Sequence, residues 1–211
     1  YQPVQKWIEP FYRDPGFIHA FSELLKVELR RCAQAHILMS FHGLPERHVQ
    51  KTDPTQAHCL KKPGCCDQIV EANRFCYRAH SFATARAMAK ELGLKTSQYS
   101  VSFQSRLGKN PWIKPFTDEI FQEILKTGKK ELIVVCPSFV TDCLETVEEI
   151  GLRVRHDFME AGGEYFALVP CLNDDTQWVE AAKDLVVRVA KSCPIRLPPK
   201  SAPKIVLKSC D

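Results

Sequence analysis

Three groups of side chains in this sequence have the types and spacing to do chemistry. His42 stands in the run SFHGLP, just beyond a short apolar segment and beside a glycine that would let a ligand approach closely. An imidazole there can take a proton near neutral pH, ligate a metal, or simply bond a neighbouring loop. Asp142, Glu145 and Glu149 follow one another in VTDCLETVEEI. Asp-x-x-Glu at a helix start is a capping box, with both acids suited to the positive helix end. With Glu149 on the same helix face, those acids also make a line able to pass protons or hydrated cations. The third group is Cys59, Cys65, Cys66 and Cys76, four of the ten cysteines, spaced C-x5-C-C-x9-C. A metal site, a disulfide knot and an accident of composition are the alternatives. No signal-peptide pattern is present, so a reducing compartment is expected, where stable disulfides are rare.

The elements that must position these groups follow from apolar spacing. It predicts a helix over 17–34, a strand over 36–40, a polar cysteine-bearing stretch over 46–67, and a long helix over 69–92 that carries Cys76 and ends at Gly93. A strand over 98–103 and a helix over 115–126, stopped by Gly128, come next. Then follow a strand over 131–135, a helix over 143–160 closed by Gly162 and Gly163, a strand over 164–169 and a helix over 175–191. This alternation predicts an α/β fold: a Rossmann-like, doubly wound parallel sheet of about four strands with flanking helices.

In such sheets ligands bind beyond the carboxyl ends of the strands. Three turns fall there: 40–45 with His42; 104–108 with Arg106, followed by Trp112; and 139–145 with Phe139, Asp142 and Glu145. Taken alone, Arg106 reads equally as a solvated loop charge, and Trp112 as core or as the flat wall of an aromatic pocket. No G-x-G-x-x-G follows a strand, which argues against a dinucleotide.

With 211 residues, 45% of them apolar and 26% charged, the chain can bury a full core. The net charge is +4, and no basic run is interleaved with aromatics, so nucleic acid is not expected as a partner. No apolar stretch reaches the roughly 18–20 residues of a membrane span; peripheral membrane contact stays open. The expected organisation is one domain over 1–192 with a cysteine-rich insertion at 50–76, then a flexible tail over 193–211 containing Cys193 and Cys210. The chain starts at Tyr1 in a loop-like segment, so an amino-terminal portion is expected to be absent. Cys32, Cys136 and Cys171 read as small buried residues, and Cys143 as a thiol in a helix's first turn.

SFHGLP, FQSRLGKNPWIKPFTDE and CPSFVTDCLETVEEI resemble, in order, three motif blocks of the ferrochelatases, which insert ferrous iron into a porphyrin to make haem. The likeness runs from about Phe17 to Val189. It implies two Rossmann-like halves around a porphyrin cleft, of which this chain is the second; the amino-terminal half, with its porphyrin-binding lip, is then a partner. It also implies that His42 is the active-site histidine and Glu145 the catalytic glutamate, flanked by Asp142 and Glu149. Phe139 and Trp112 become pocket aromatics; Arg106 is expected on the same substrate path from its place in the second turn. Neutral His42 is the expected proton acceptor, coupled to Glu145. Oxygen and imidazole ligands bind Fe²⁺ without trapping it as thiolates would; which of the two residues touches iron stays open, as does protoporphyrin against coproporphyrin.

Several ferrochelatases carry a [2Fe–2S] cluster, in some bacterial members within an internal segment. The resemblance therefore implies that Cys59, Cys65, Cys66 and Cys76 hold one. Zinc, usually bound by C-x2–4-C, and unligated thiols are the alternatives, and His58 or His80 could replace one ligand. Two other functions are open: a chelatase for another tetrapyrrole or metal such as cobalt, and a non-enzymatic iron–sulfur sensing domain. A cytoplasmic location, with or without membrane contact, is expected.

Overall fold

In a computed structural model that describes residues 5–191, the alternating pattern becomes a four-stranded parallel sheet of order β2-β1-β3-β4. β1 (His36–His42) lies between β2 (Tyr99–Gln104) and β3 (Glu131–Val135), and β4 (Tyr165–Leu168) extends the sheet beyond β3. Apolar residues dominate the two central strands because both of their faces are covered. Ile37, Met39, Phe41, Ile133 and Val135 pack with α1 (Pro15–Arg31), α3 (Tyr77–Glu91) and α7 (Thr176–Lys191). Leu38, Leu132 and Val134 pack on the other side with α4 (Thr117–Lys126) and α6 (Arg155–Glu160).

The topology creates the crevice. The chain passes from β1 to β2 through α3 on one face, and from β2 to β3 through α4 on the other. The loops after β1 and β3 therefore part at their carboxyl ends, and that is where open α/β sheets take ligands.

Two expected helices do not form as single elements. The segment over 69–92 holds a 3₁₀ turn (Glu71–Asn73) and then α3, with Cys76 as the residue preceding α3 and not within it. Buried Asn73 explains the break: it donates to the carbonyls of Cys65 and Gln68, both at 2.8 Å, and accepts from the Val70 amide at 2.7 Å. A side chain thus satisfies backbone groups of the preceding loop and fixes the chain there in a non-helical course. The segment over 143–160 divides into α5 (Leu144–Val147), a π-helical stretch (Glu149–Val154) and α6. Gln104 Nε2 donates to the Glu145 carbonyl at 2.6 Å, occupying the acceptor that the Glu149 amide would use in an α-helix.

Gly93 and Gly128, with φ of 66° and 83°, follow the ends of α3 and α4 as expected. β1 and β2 run further than expected, so His42 and Gln104 close their strands, opposite one another in register. The tail over 193–211, with Cys193 and Cys210, lies outside the described residues. Among the described residues no helix is long and apolar enough to cross a membrane.

Candidate active site

His42 ends β1 at the parting of the loops. Its amide donates to Ser138 Oγ, in the turn after β3, at 2.8 Å. Its Nδ1 lies 2.6 Å from the Gly43 carbonyl. A carbonyl only accepts, so Nδ1 carries the proton in the neutral ring and Nε2 keeps its lone pair. The Phe139 ring stands 5.9 Å from the imidazole, centroid to centroid.

Gly43 is confined by what surrounds it. Its amide donates to the Gln104 carbonyl at 2.7 Å. A Cβ at this position would fall 2.8 Å from that oxygen and 3.1 Å from the Trp112 ring. Trp112 is held from its other side by the bond from its Nε1 to the Leu107 carbonyl, 3.0 Å.

Glu145 lies in the first turn of α5. A hydrogen bond from the Cys143 thiol holds its carboxyl below the ordinary value; its own amide and the nearby charge of His42 act in the same direction. Glu149 accepts from the Ser105 amide at 2.8 Å and the Ser105 hydroxyl at 2.5 Å, so it reaches across to the end of β2. The expected capping box between Asp142 and Glu145 does not form. Cys143 takes the cap position, its amide bonded to Thr146 Oγ1 at 3.0 Å. Asp142 turns instead to the loop after β4, accepting from the Cys171 amide at 3.1 Å and Asn173 Nδ2 at 2.8 Å. Burial pushes its carboxyl up, but the bonds from Asn173 and Cys171 outweigh that and leave it below the usual value.

Arg106 points toward α4. It donates to Glu119 at 2.9 Å and Asp118 at 2.6 Å, with its guanidinium 4.0 Å from the centre of the Phe116 ring. Among the expected residues, His42 and Phe139 therefore stand together, Glu145 is close enough for the His42 charge to act on its carboxyl, Glu149 is tied to the end of β2 through Ser105, and Arg106 is committed to the loop's outer anchor. Ser138 and Asn173 were not foreseen. They bond backbone and side-chain groups distant in sequence, and no local spacing marks such a residue.

The four cysteines also converge. Cys59, Cys65, Cys66 and Cys76 are 2, 8, 4 and 1% exposed, so solvent is largely excluded. Cys65 and Cys66 have their sulfurs 3.8 Å apart, and Cys76 is hydrogen-bonded to both Cys59 and Cys66. The bond to Cys76 and burial push the Cys66 thiol far up, while the same bond lowers Cys76. Burial raises Cys59 and Cys65. Asp53 shapes the loop, accepting from the amides of Thr55, His58 and Cys59 at 2.9, 2.8 and 2.9 Å. His58 and His80 bond the carbonyls of Cys65 and Arg74, at 3.0 and 2.7 Å. Among the described residues, the one set of three or more His, Cys or acidic ligand atoms within 4.8 Å of one another is His19, Glu23 and Glu91, on α1 and α3.

A four-stranded parallel sheet wound on both faces, with His42 and Phe139 where its loops part, is a Rossmann-like α/β domain. The ferrochelatase family model matches residues 1–190, and the chain belongs to the ferrochelatase family. It is 46% identical over 184 residues to the ferrochelatase of Legionella pneumophila (strain Lens), a match covering 87% of this chain and 54% of that protein. To the ferrochelatase of Pseudomonas fluorescens (strain Pf0-1) it is 47% identical over 182 residues, covering 86% and 53%. To that of Stutzerimonas stutzeri (strain A1501) the figures are 47% over 186 residues, covering 88% and 54%. The chain spans about half the length of the curated relatives it matches.

Proposed function

We propose that this chain forms the catalytic half of a ferrochelatase, in which Fe²⁺ enters a porphyrin, two pyrrole protons leave, and haem forms. The observation that supports this most is the placement of His42 and Phe139, ring centres 5.9 Å apart, at the crevice beyond β1 and β3, where the charge of His42 also acts on Glu145 from the next turn. Nδ1 of His42 is committed to Gly43, so Nε2 is the atom free to take a pyrrole proton. Ionised Glu145 stabilises the resulting imidazolium. Asp142, Glu145 and Glu149 offer oxygen ligands that bind hydrated Fe²⁺ and release it again. Phe139 and Trp112 wall the macrocycle, and Arg106 steadies the loop that carries Trp112. The opposite wall would come from the part of its relatives' length that this chain does not span.

Cys59, Cys65, Cys66 and Cys76 are the proposed ligands of a [2Fe–2S] cluster, which supplies a one-electron redox couple when bound. Their burial in one loop, with the Cys65 and Cys66 sulfurs 3.8 Å apart, supports this.

The test is iron insertion by the full-length enzyme. His42→Ala and Glu145→Gln should each lower kcat by about 100-fold or more, as expected for loss of an acid–base group. Ordinary rates in both variants would refute the assignment. Faster insertion of Co²⁺ than Fe²⁺ would move the protein to a related chelatase. Anaerobically purified protein should be reddish-brown, with iron and acid-labile sulfide; colourless protein holding zinc would reject the cluster.

A further inference from the structure

We infer that Arg78 is a positioning residue that couples the four-cysteine site to the loop carrying Trp112; the inference rests on the cluster reading above. Arg78 lies in the first turn of α3, yet its guanidinium spans two other segments. Nη1 donates to Cys66 Sγ at 3.1 Å. Nε and Nη2 both donate to the Lys114 carbonyl, at 3.3 and 3.1 Å. The group lies 4.7 Å from the centre of the Phe82 ring and 5.9 Å from that of Phe103, which limits its freedom to swing away.

The Lys114 end leads to the active-site rim. Segment 111–115 is joined to the turn after His42 by two backbone bonds, Glu46 N to Pro111 O at 2.9 Å and Ile113 N to Leu44 O at 3.0 Å. A third, Phe103 N to Pro115 O at 2.8 Å, joins it to β2. Trp112 lies within this segment, against Gly43. One guanidinium therefore touches a proposed cluster ligand and the backbone strip that holds a pocket wall.

Charge gives the contact its direction. A sulfur bound to iron is a charged acceptor, whereas a free thiol is a weak one. The hold of Cys66 on Arg78, and the alignment of Arg78 on Lys114, therefore tighten when the cluster is present. Reduction adds an electron to a site already negative from four thiolates. A cationic donor on a ligand sulfur stabilises that electron and raises the potential. Arg is suited to the task because its planar fork serves two acceptors at once, which the Lys ammonium on its flexible stem does not.

The experiment uses full-length enzyme purified anaerobically as wild type, Arg78→Met and Arg78→Lys. It reads the cluster's midpoint potential by EPR-monitored titration, and amide exchange in segment 111–116 before and after cluster removal. In wild type, exchange there should quicken when the cluster is removed. Arg78→Met should lower the potential, cutting the reduced-to-oxidised ratio at fixed poise by about tenfold (about 59 mV for a one-electron couple). Its loop should exchange rapidly with or without the cluster. Arg78→Lys should keep a potential near wild type but lose the loop response. If Arg78→Met does not retain a cluster, the Arg78→Lys result decides: wild-type behaviour on both measures overturns the inference. An unchanged potential in Arg78→Met, or a loop that still responds to cluster removal, also overturns it. A wild-type enzyme without iron and labile sulfide would instead end the cluster reading and this inference with it.

Discussion

Gln104 donates its side-chain amide to the backbone carbonyl of Glu145 at 2.6 Å, while its own carbonyl oxygen accepts from the Ser40 hydroxyl at 2.7 Å. One buried residue thus ties the end of β2 both to β1 and to the helix bearing the proposed catalytic glutamate. The π-helical stretch that follows has this bond as its local cause.

Gln104→Leu should therefore act on Glu145 without touching substrate. It removes the partner of the Glu145 carbonyl, at a cost of about 1–3 kcal/mol for an unsatisfied polar group. Urea unfolding should show that loss. Iron insertion by the full-length enzyme should fall about tenfold or more in kcat, with porphyrin KM little altered. An unchanged kcat would show that Glu145 keeps its position without this bond.

Gly43→Ala tests the close approach beside His42. The new methyl would press on the Gln104 carbonyl at 2.8 Å and the Trp112 ring at 3.1 Å. Overpacking of this kind costs about 1–3 kcal/mol. The Gln104 contact is backbone and the Trp112 contact a side chain, so the ring is the one displaced and porphyrin KM should rise more than kcat falls. Wild-type stability and KM together would contradict the packing described.

Stability should depend on pH through His36, at the opposite end of the sheet from the crevice. Its Nε2 bonds Ser100 Oγ at 2.8 Å and its Nδ1 bonds Lys129 Nζ at 3.1 Å. Burial, and secondarily the Lys129 charge, lower it from 6.5 to about 4. The unfolded chain then binds more protons than the folded one between those values, so stability is complete above about 6.5 and declines as pH falls toward 4. The loss is on the order of 3 kcal/mol. His36→Gln should flatten this part of a stability–pH profile measured by urea unfolding.

Asn73→Ala should weaken the cysteine site without removing a ligand. The substitution deletes the bonds that hold the carbonyls of Cys65 and Gln68 and the amide of Val70. Loss of such outer support typically lowers metal affinity about 10–100-fold. Iron per chain and thermal stability of anaerobically purified protein should both fall. Full iron occupancy would place the organising role elsewhere, with Asp53 the next residue to change.

Much of the fold is legible along the chain, because apolar period and glycine stops are local properties. The four strands lie within two residues of where alternation places them, and Gly93 and Gly128 end the helices that precede them. The two helices that came out differently share a cause. Asn73 and Gln104 each bond backbone groups with a side chain, Asn73 those of the loop before α3 and Gln104 an acceptor within the helix, and a periodic apolar pattern contains no record of such competition.

The candidate site divides along the same line. Residue types and spacing alone single out His42, Asp142, Glu145, Glu149 and the four clustered cysteines as groups able to do chemistry. Which of them meet is a tertiary matter. Gln104 reaches Glu145 across 41 residues of chain, Arg78 reaches Lys114 across 36, and Asp142 chooses Asn173 across 31 over the cap next to it. Those encounters depend on the β2-β1-β3-β4 order and on crossovers lying on opposite faces, which place loops distant in sequence at one edge of the sheet.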